Sequence, residues 1–384
     1  MVVASMPPRG YFDEAQAVYR FDPARPTGIY TSGPLAHHPA RWQVNAQGWL
    51  STVDYRATRT PGRARIAVIG DSYVEALQVG TAAAFPSLLG DLLDGNPEVY
   101  AFGTSGAPLA HYLHLARHVA QRYDPDIIVI NVVHNDFDES LVTRTPNEVQ
   151  FLRLAHAADG TLAERAPAPN PEFVQYDPLK AWLRHSALVR YLYLNCHIKE
   201  SVQALVYLVH TPSQLEFAEN VNVGELLAAQ PHIPAIVDYV VGAIARENRD
   251  RQVHFVIDGR RHQIYARAPH SRLAFLHDEM RAATRRHHAG FLDLHPHMAR
   301  AYAADGRAFN SAADGHWNAY GHTFVARVLA DYLAPHLPPV AAAVVSREAP
   351  SAQSPPLTRA LLVEAVGDAP APLATRDETP PPPR

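Results

Sequence analysis

One cysteine, Cys196, stands among 384 residues, so no disulfide can close within the chain and zinc sites built from several thiolates are excluded. No excess of either charge exists: 34 Lys and Arg against 38 Asp and Glu leave a formal charge of −4. That balance gives no electrostatic case for nucleic acid or an anionic membrane surface as a partner. No run of eighteen apolar residues occurs, so a membrane-spanning segment is not expected. The start, Met1-Val2-Val3-Ala4-Ser5-Met6-Pro7-Pro8, carries neither the basic nor the apolar region of a secretory signal. The expectation is a soluble, cytoplasmic protein.

Hydrophobic residues make up 47% of the chain, ample for a core, and the length suits one large domain with additions or two to three average ones. The pattern favours the former. Residues 1–62, with Pro7, Pro8, Pro23, Pro26, Pro34, Pro39 and Pro61, read as an extended arm with short strands, pinned to the main body by Trp42, Trp49 and Tyr55. From residue 63 to about 338 strands and helices alternate. Strands are expected at Arg65–Ile69, Glu98–Phe102, Asp126–Val133, Gln252–Ile257 and Gly290–Leu294. Helices are expected at Ala84–Leu93, Leu109–Arg122, Ile233–Arg246 and Arg272–His287. Buried apolar strands separated by amphipathic helices predict an α/β three-layer sandwich on a central parallel sheet, with flavodoxin-like order as the economical topology.

The alternation breaks at about 139–232, which reads as an insertion after the third strand. Phe151 to Pro167, with Asp159-Gly160 in the middle, has the form of a hairpin, and Asp177 to about Val209 reads as one or two helices. The insertion is either a lid over the carboxyl edge of the sheet or a plain structural excursion. Ten of the 33 prolines fall in residues 339–384, mixed with Ala, Ser and Thr, a composition that predicts a disordered tail.

Chemistry concentrates at strand ends. Arg65-Ile66-Ala67-Val68-Ile69 runs into Gly70-Asp71-Ser72, so a hydroxyl sits at the carboxyl end of a buried strand, where open α/β sheets bind ligands. From that stretch alone Ser72 is either a nucleophile or a helix cap. The second strand ends in Gly103-Thr104-Ser105-Gly106, a turn that exposes backbone N–H groups, and the third in Val133-His134-Asn135-Asp136. Asp314-Gly315-His316-Trp317 precedes the last helix. Together these supply the parts of acyl transfer. Ser72 is the candidate nucleophile, His316 the candidate base that would take its proton, and Asp314 the candidate group to orient the imidazole. The N–H groups of Ser72 and Gly106 and the amide of Asn135 are the candidate donors of an oxyanion hole.

In these four blocks, between about Arg63 and Leu333, the sequence resembles the SGNH (GDSL-type) hydrolases. The resemblance implies a flavodoxin-like three-layer fold, ester hydrolysis or acyl transfer, and no metal or organic cofactor. It assigns the nucleophile to Ser72, the base to His316, and oxyanion donors to Gly106 and Asn135. Two positions depart from the pattern: Val133 replaces the glycine two residues before the Asn, and Ala313 replaces the acid three residues before the His. The closer Asp314-Gly315-His316 spacing resembles sugar O-acetyltransferases and carbohydrate esterases of the superfamily. The expected substrate is a small acyl ester or an acylated carbohydrate; the alternative is a non-catalytic sugar-binding or assembly protein on the same fold.

The remaining histidines read as structure. His111, His114 and His118 share a helical face with no accompanying carboxylate, and His287-His288 and His295/His297 read likewise. Asp258-Gly259-Arg260-Arg261 reads as a salt-bridged loop, or alternatively as part of a polar substrate rim.

Overall fold

The computed structural model describes residues 4–32, 37–144, 147–170, 186–196, 217–218, 221–311 and 315–338. Five strands form the central sheet: β1 (Arg65–Gly70), β2 (Glu98–Gly103), β3 (Ile127–Val132), β4 (Gln252–Ile257) and β5 (Gly290–Asp293). All neighbours pair in parallel, in the order β5-β4-β3-β1-β2. The chain runs outward from β1 to β2, then crosses back to β3 on the other side of β1. That reversal leaves a crevice at the carboxyl ends of β1 and β3, the place where doubly wound sheets bind ligands.

The strands are apolar and β-branched because both faces are covered. Their alternation divides the core in two. Ala67, Ile69, Ile128, Ile130 and Phe255 point to a face covered by helices α3 (Leu109–Tyr123), α4 (Ile233–Glu247) and α6 (Ala274–Arg286). Ile66, Val68, Ile127, Val129 and Val256 point to the other, covered by α2 (Phe85–Leu92), α7 (Leu294–Asp305) and α8 (Ala319–Leu333). Two short helices, α1 (Ser72–Glu75) and α5 (Arg261–Ala266), start just beyond the ends of β1 and β4. The result is the expected three-layer sandwich, with the expected strands displaced at their ends by a residue at most.

The helical stretch Val223–Glu247 does reach the length and mean hydropathy of a membrane span, 25 residues at 1.2, which no unbroken apolar run in the sequence indicated. Its second part is α4, whose Ile236, Val237, Val240, Val241 and Ile244 are fully buried against the sheet. Its apolarity serves the core.

The N-terminal segment forms two antiparallel ribbons, Gly10–Asp13 with Val18–Phe21 and Thr27–Ser32 with His37–Gln43. Its aromatic anchors are buried as expected: Trp42 and Tyr55 are 3% exposed and Trp49 not at all. Tyr55 guards the free edge of β2. Its hydroxyl donates to the carbonyl of Ala101 and accepts from the N–H of the same residue, both at 2.8 Å. A strand edge that would otherwise expose unpaired groups is thereby closed. Arg65, fully buried, pairs with Glu98 at 2.7 Å and donates to the carbonyls of Ala57, Thr58 and Tyr123, tying the segment to the opposite end of the sheet.

Within the insertion, the hairpin expected around Asp159-Gly160 pairs Arg153–His156 with Leu162–Arg165. The helices expected over Asp177–Val209 lie mostly outside the described residues; Ala187–Arg190 and Tyr191–Asn195 are helical. The tail expected over 339–384 also lies outside them.

Candidate active site

The sequence after β1 turns at once because Asp71 caps α1. Its carboxylate accepts the N–H of Tyr73 at 2.9 Å, and the helix ends one turn later at Ala76 in the left-handed region. This puts Ser72 in the first turn of a helix at the end of a buried strand, partly exposed in the crevice. His316, 244 positions away, comes from the loop before α8, and its Nε2 lies 2.8 Å from Ser72 Oγ. The structure thus brings the candidate nucleophile and base into direct contact. The hydroxyl also stands 3.1 Å from Asp71 Oδ2, so two acceptors compete for one proton. Burial pushes the Asp71 carboxyl up to about 6, opposed by the Tyr73 N–H and the nearby His316. Asp314 lies outside the described residues.

Gly106 and Asn135 lie in the turns that follow the two strands flanking β1. Gly70 and Gly103 are partners in register, so the turns after β1 and β2 leave the sheet at the same level. A side chain at Gly103 would meet the backbone of α1: a Cβ there falls 2.2 Å from the nitrogen of Glu75. Only glycine lets the two turns approach this closely. Gly106 has φ of +78°, the left-handed region, which opens the turn toward the crevice; the ring of Phe151, from the insertion, is its nearest neighbour on that side.

Asn135, partly exposed, follows β3 and donates its amide to Glu139 at 3.4 Å. Burial, with Asp138 and Glu148 nearby, pushes the Glu139 carboxyl up to about 8. Asp136 points inward, where it accepts the N–H of Val133 and the hydroxyl of Tyr112, both at 2.8 Å. Burial and then the Asp71 charge hold its carboxyl well above the usual range. Its role is to shape the turn that presents Asn135. His134, buried beside it, meets His277 at 3.1 Å, and His277 meets Asp293 at 3.0 Å. With Asp293 accepting from Nδ1, the Nε2 of His277 is left to accept from His134.

The loop carrying His316 is fastened by residues that the sequence did not mark as part of the site. Arg261 and Asp258 form an ion pair at 3.0 Å with side chains 3% and 0% exposed. Arg261 donates to the carbonyl of Gly315, and Asp258 accepts the indole N–H of Trp317 at 3.0 Å. The residues on both sides of His316 are therefore held by one pair. Tyr73, next to Ser72, accepts from Arg261 and donates to Gly315 at 3.0 Å, and its ring lies 5.0 Å from that of His316. The expectation of a salt-bridged loop after the fourth strand is correct, but the pair is buried under the site. Asp258-Gly259-Arg260-Arg261 at a strand's carboxyl end was the available signal; its reach to Gly315 needed the fold.

The three histidines of α3 are packed into the fold. His111 accepts the N–H of Leu152 at 3.0 Å, His114 pairs with the carbonyl of Ala17 at 2.8 Å, and burial lowers His118 to about 4. Among the described residues no group of three or more His, Cys, Asp or Glu is arranged to hold a metal ion.

Comparison with known proteins gives this arrangement a family. Solved structures that align with the chain include the lipase/acylhydrolase from Enterococcus faecalis, at 12% identity and a TM-score of 0.38, over 72% of this chain and 98% of that one. A carbohydrate acetylesterase family member from Sinorhizobium meliloti aligns at 14% identity and a TM-score of 0.31, over 70% and 97%. A family two carbohydrate esterase from Clostridium thermocellum, in complex with cellohexaose, aligns at 11% and 0.35, over 73% and 66%. Among curated proteins there is no significant match. The sequence profile described as GDSL-like lipase/acylhydrolase matches residues 66–329, more than half of the chain and all four blocks. On that match the chain belongs to the GDSL-like lipase/acylhydrolase family, the SGNH-type hydrolases of ester bonds.

Proposed function

We propose that the protein is a serine esterase or O-acyltransferase working through an acyl-enzyme, with an O-acetyl group on a carbohydrate as its substrate. The observation that carries the reading is the 2.8 Å contact between Ser72 Oγ and His316 Nε2. A serine hydroxyl attacks an ester only when a base removes its proton, and this contact supplies one.

The steps follow from the residues. His316 Nε2 takes the Ser72 proton as Oγ bonds to the acyl carbon, and the carbonyl oxygen becomes an oxyanion. The N–H groups of Ser72 and Gly106 and the amide of Asn135 donate to it. The bond to the leaving alcohol then breaks, and His316 returns the proton to that oxygen. Water, or a sugar hydroxyl in a transferase, next gives its proton to His316 and attacks the acyl carbon. Ser72 recovers its proton as the acyl group departs. Asp314 orients the imidazole. The carbohydrate reading is supported by the close Asp314-Gly315-His316-Trp317 spacing, which resembles that of carbohydrate esterases.

Hydrolysis of p-nitrophenyl acetate tests the chemistry. Ser72→Ala and His316→Ala each remove nearly all activity, and the double variant loses little more, because residues acting as one unit are non-additive. Asp314→Asn loses less than either by roughly ten- to a thousandfold. A Ser72→Ala protein with full activity overturns the reading. An acetylated oligosaccharide is preferred in kcat/KM over a long-chain p-nitrophenyl ester; the reverse preference overturns the substrate class.

A further inference from the structure

The helix that carries Ser72 also carries Glu75, a buried carboxyl with no part in the steps above. Its residue is 5% exposed, and its Oε2 accepts the N–H of Ser105 at 2.5 Å. Ser105 is the residue before Gly106, in a turn closed by the N–H of Ala107 on the carbonyl of Thr104 at 3.0 Å and tied to β1 by the N–H of Thr104 on the carbonyl of Gly70 at 3.2 Å. The Glu75 and Gly70 contacts run from the nucleophile's side of the crevice to the turn after β2. The bare Cα of Gly103 lets α1 sit directly on that turn. Gly106 itself is at positive φ, and a Cβ there would meet only the ring of Phe151, at 3.7 Å; the direction of its N–H follows from the peptide that joins it to Ser105. A carboxylate buried at the end of a four-residue helix is a costly thing to keep unless it holds something.

We propose that Glu75 is a positioning residue for the oxyanion hole: by holding the N–H of Ser105 from the nucleophile's own helix, it aims the N–H of Gly106 at the acyl oxygen of a substrate bound to Ser72. This rests on the reading of Gly106 as an oxyanion donor. The arrangement ties the nucleophile's helix to the donor's turn, which fixes their spacing. Preorganised donors of this kind act because they need not reorient as charge develops.

The strength of the hold depends on the charge of the carboxyl. Burial pushes Glu75 up to about 7; the Ser105 N–H and hydroxyl oppose the rise, the charge of Asp71 adds to it and that of His316 opposes it. A charge-assisted hydrogen bond is about twice as strong as a neutral one, so the turn is held more firmly above that pH than below it.

The test compares Glu75→Gln with the wild type on p-nitrophenyl acetate between about pH 5.5 and 8.5, reading kcat and KM separately. Glutamine keeps the shape and an acceptor for Ser105 but cannot ionise. The ratio of wild-type to variant kcat is near one at the acid end and rises to roughly 3- to 10-fold at the alkaline end, with KM unchanged. Glu75→Leu, which removes the acceptor, loses about 10²–10³-fold in kcat, the cost of one misaimed donor. A ratio that stays near one at every pH overturns the assignment, as does a rise in KM with kcat unchanged. The parent reading is scored separately: a Ser72→Ala control without activity leaves it standing when the Glu75 ratio is flat, whereas a fully active control overturns both.

Discussion

Replacing Arg261 with methionine tests whether the pair beneath the histidine loop is as consequential as its burial implies. Methionine keeps much of the aliphatic stem and removes the guanidinium. Asp258 is then left fully buried without the charge that most opposes its desolvation, although it still accepts from Trp317 and from the N–H of Gly259 at 2.7 Å. Removing one partner of a buried pair costs about 3–5 kcal/mol. At about 2–4 °C for each kcal/mol, the melting temperature falls by roughly 6–20 °C.

The loss carries a pH signature. Burial already raises the Asp258 carboxyl above its usual value, and Arg261 is the first influence opposing it. Without Arg261 the folded-state value rises further, so the native state binds a proton that the unfolded chain, titrating near 3.8, has released. Stability is then greatest in acid and falls as pH rises from there toward the new folded-state value, by up to about 1.4 kcal/mol for each pH unit. Urea unfolding at about pH 5 and 8 measures it: the difference from wild type is larger at the alkaline end. Asp258→Asn combined with Arg261→Met recovers part of the loss, because no charge is left buried. Activity falls too, since Gly315 keeps only its Tyr73 contact, and a shift of about 1 Å in His316 costs about 10²-fold. An Arg261→Met protein within about 0.5 kcal/mol of wild type at both pH values would refute the reasoning.

Asn135→Ala lowers kcat by about 10²–10³-fold with little change in KM, the loss expected of one oxyanion donor; a raised KM with kcat intact makes Asn135 a substrate-binding residue instead. His322, buried on α8, accepts the N–H of Phe85 at Nδ1 over 3.2 Å, and burial lowers it to about 3. A lowered base contributes stability that is whole above 6.5, its ordinary value, and drains away as pH falls toward 3. Between about pH 7 and 5 the wild type therefore loses about 2 kcal/mol more than His322→Gln, measured by urea unfolding; equal losses show that the imidazole does not titrate as the burial requires.

Much of this protein could be read along the chain because its signals are local. Strand ends at Gly70 and Ile257 follow from apolar runs that stop at a turn residue or an acid, and the hairpin at Asp159-Gly160 from its turn chemistry. Ser72, Gly106, Asn135 and His316 stood out as candidates because four short blocks, three of them at strand ends, carry the residue types of acyl transfer, and the structure brings Ser72 and His316 into contact. The sequence placed α4 as a helix, but only the structure shows which of its apolar residues, Ile236, Val240 and Ile244 among them, pack on the strands. The fastenings of the site were also beyond the sequence. Glu75 and Ser105 are thirty positions apart, Arg261 and Gly315 fifty-four, and Tyr73 and Gly315 two hundred and forty-two. A hydrophobic period or a turn motif spans only a few residues and announces itself. A hydrogen bond between distant loops has no such pattern, because any polar residue can make one once the sheet order has carried its strand end to the crevice.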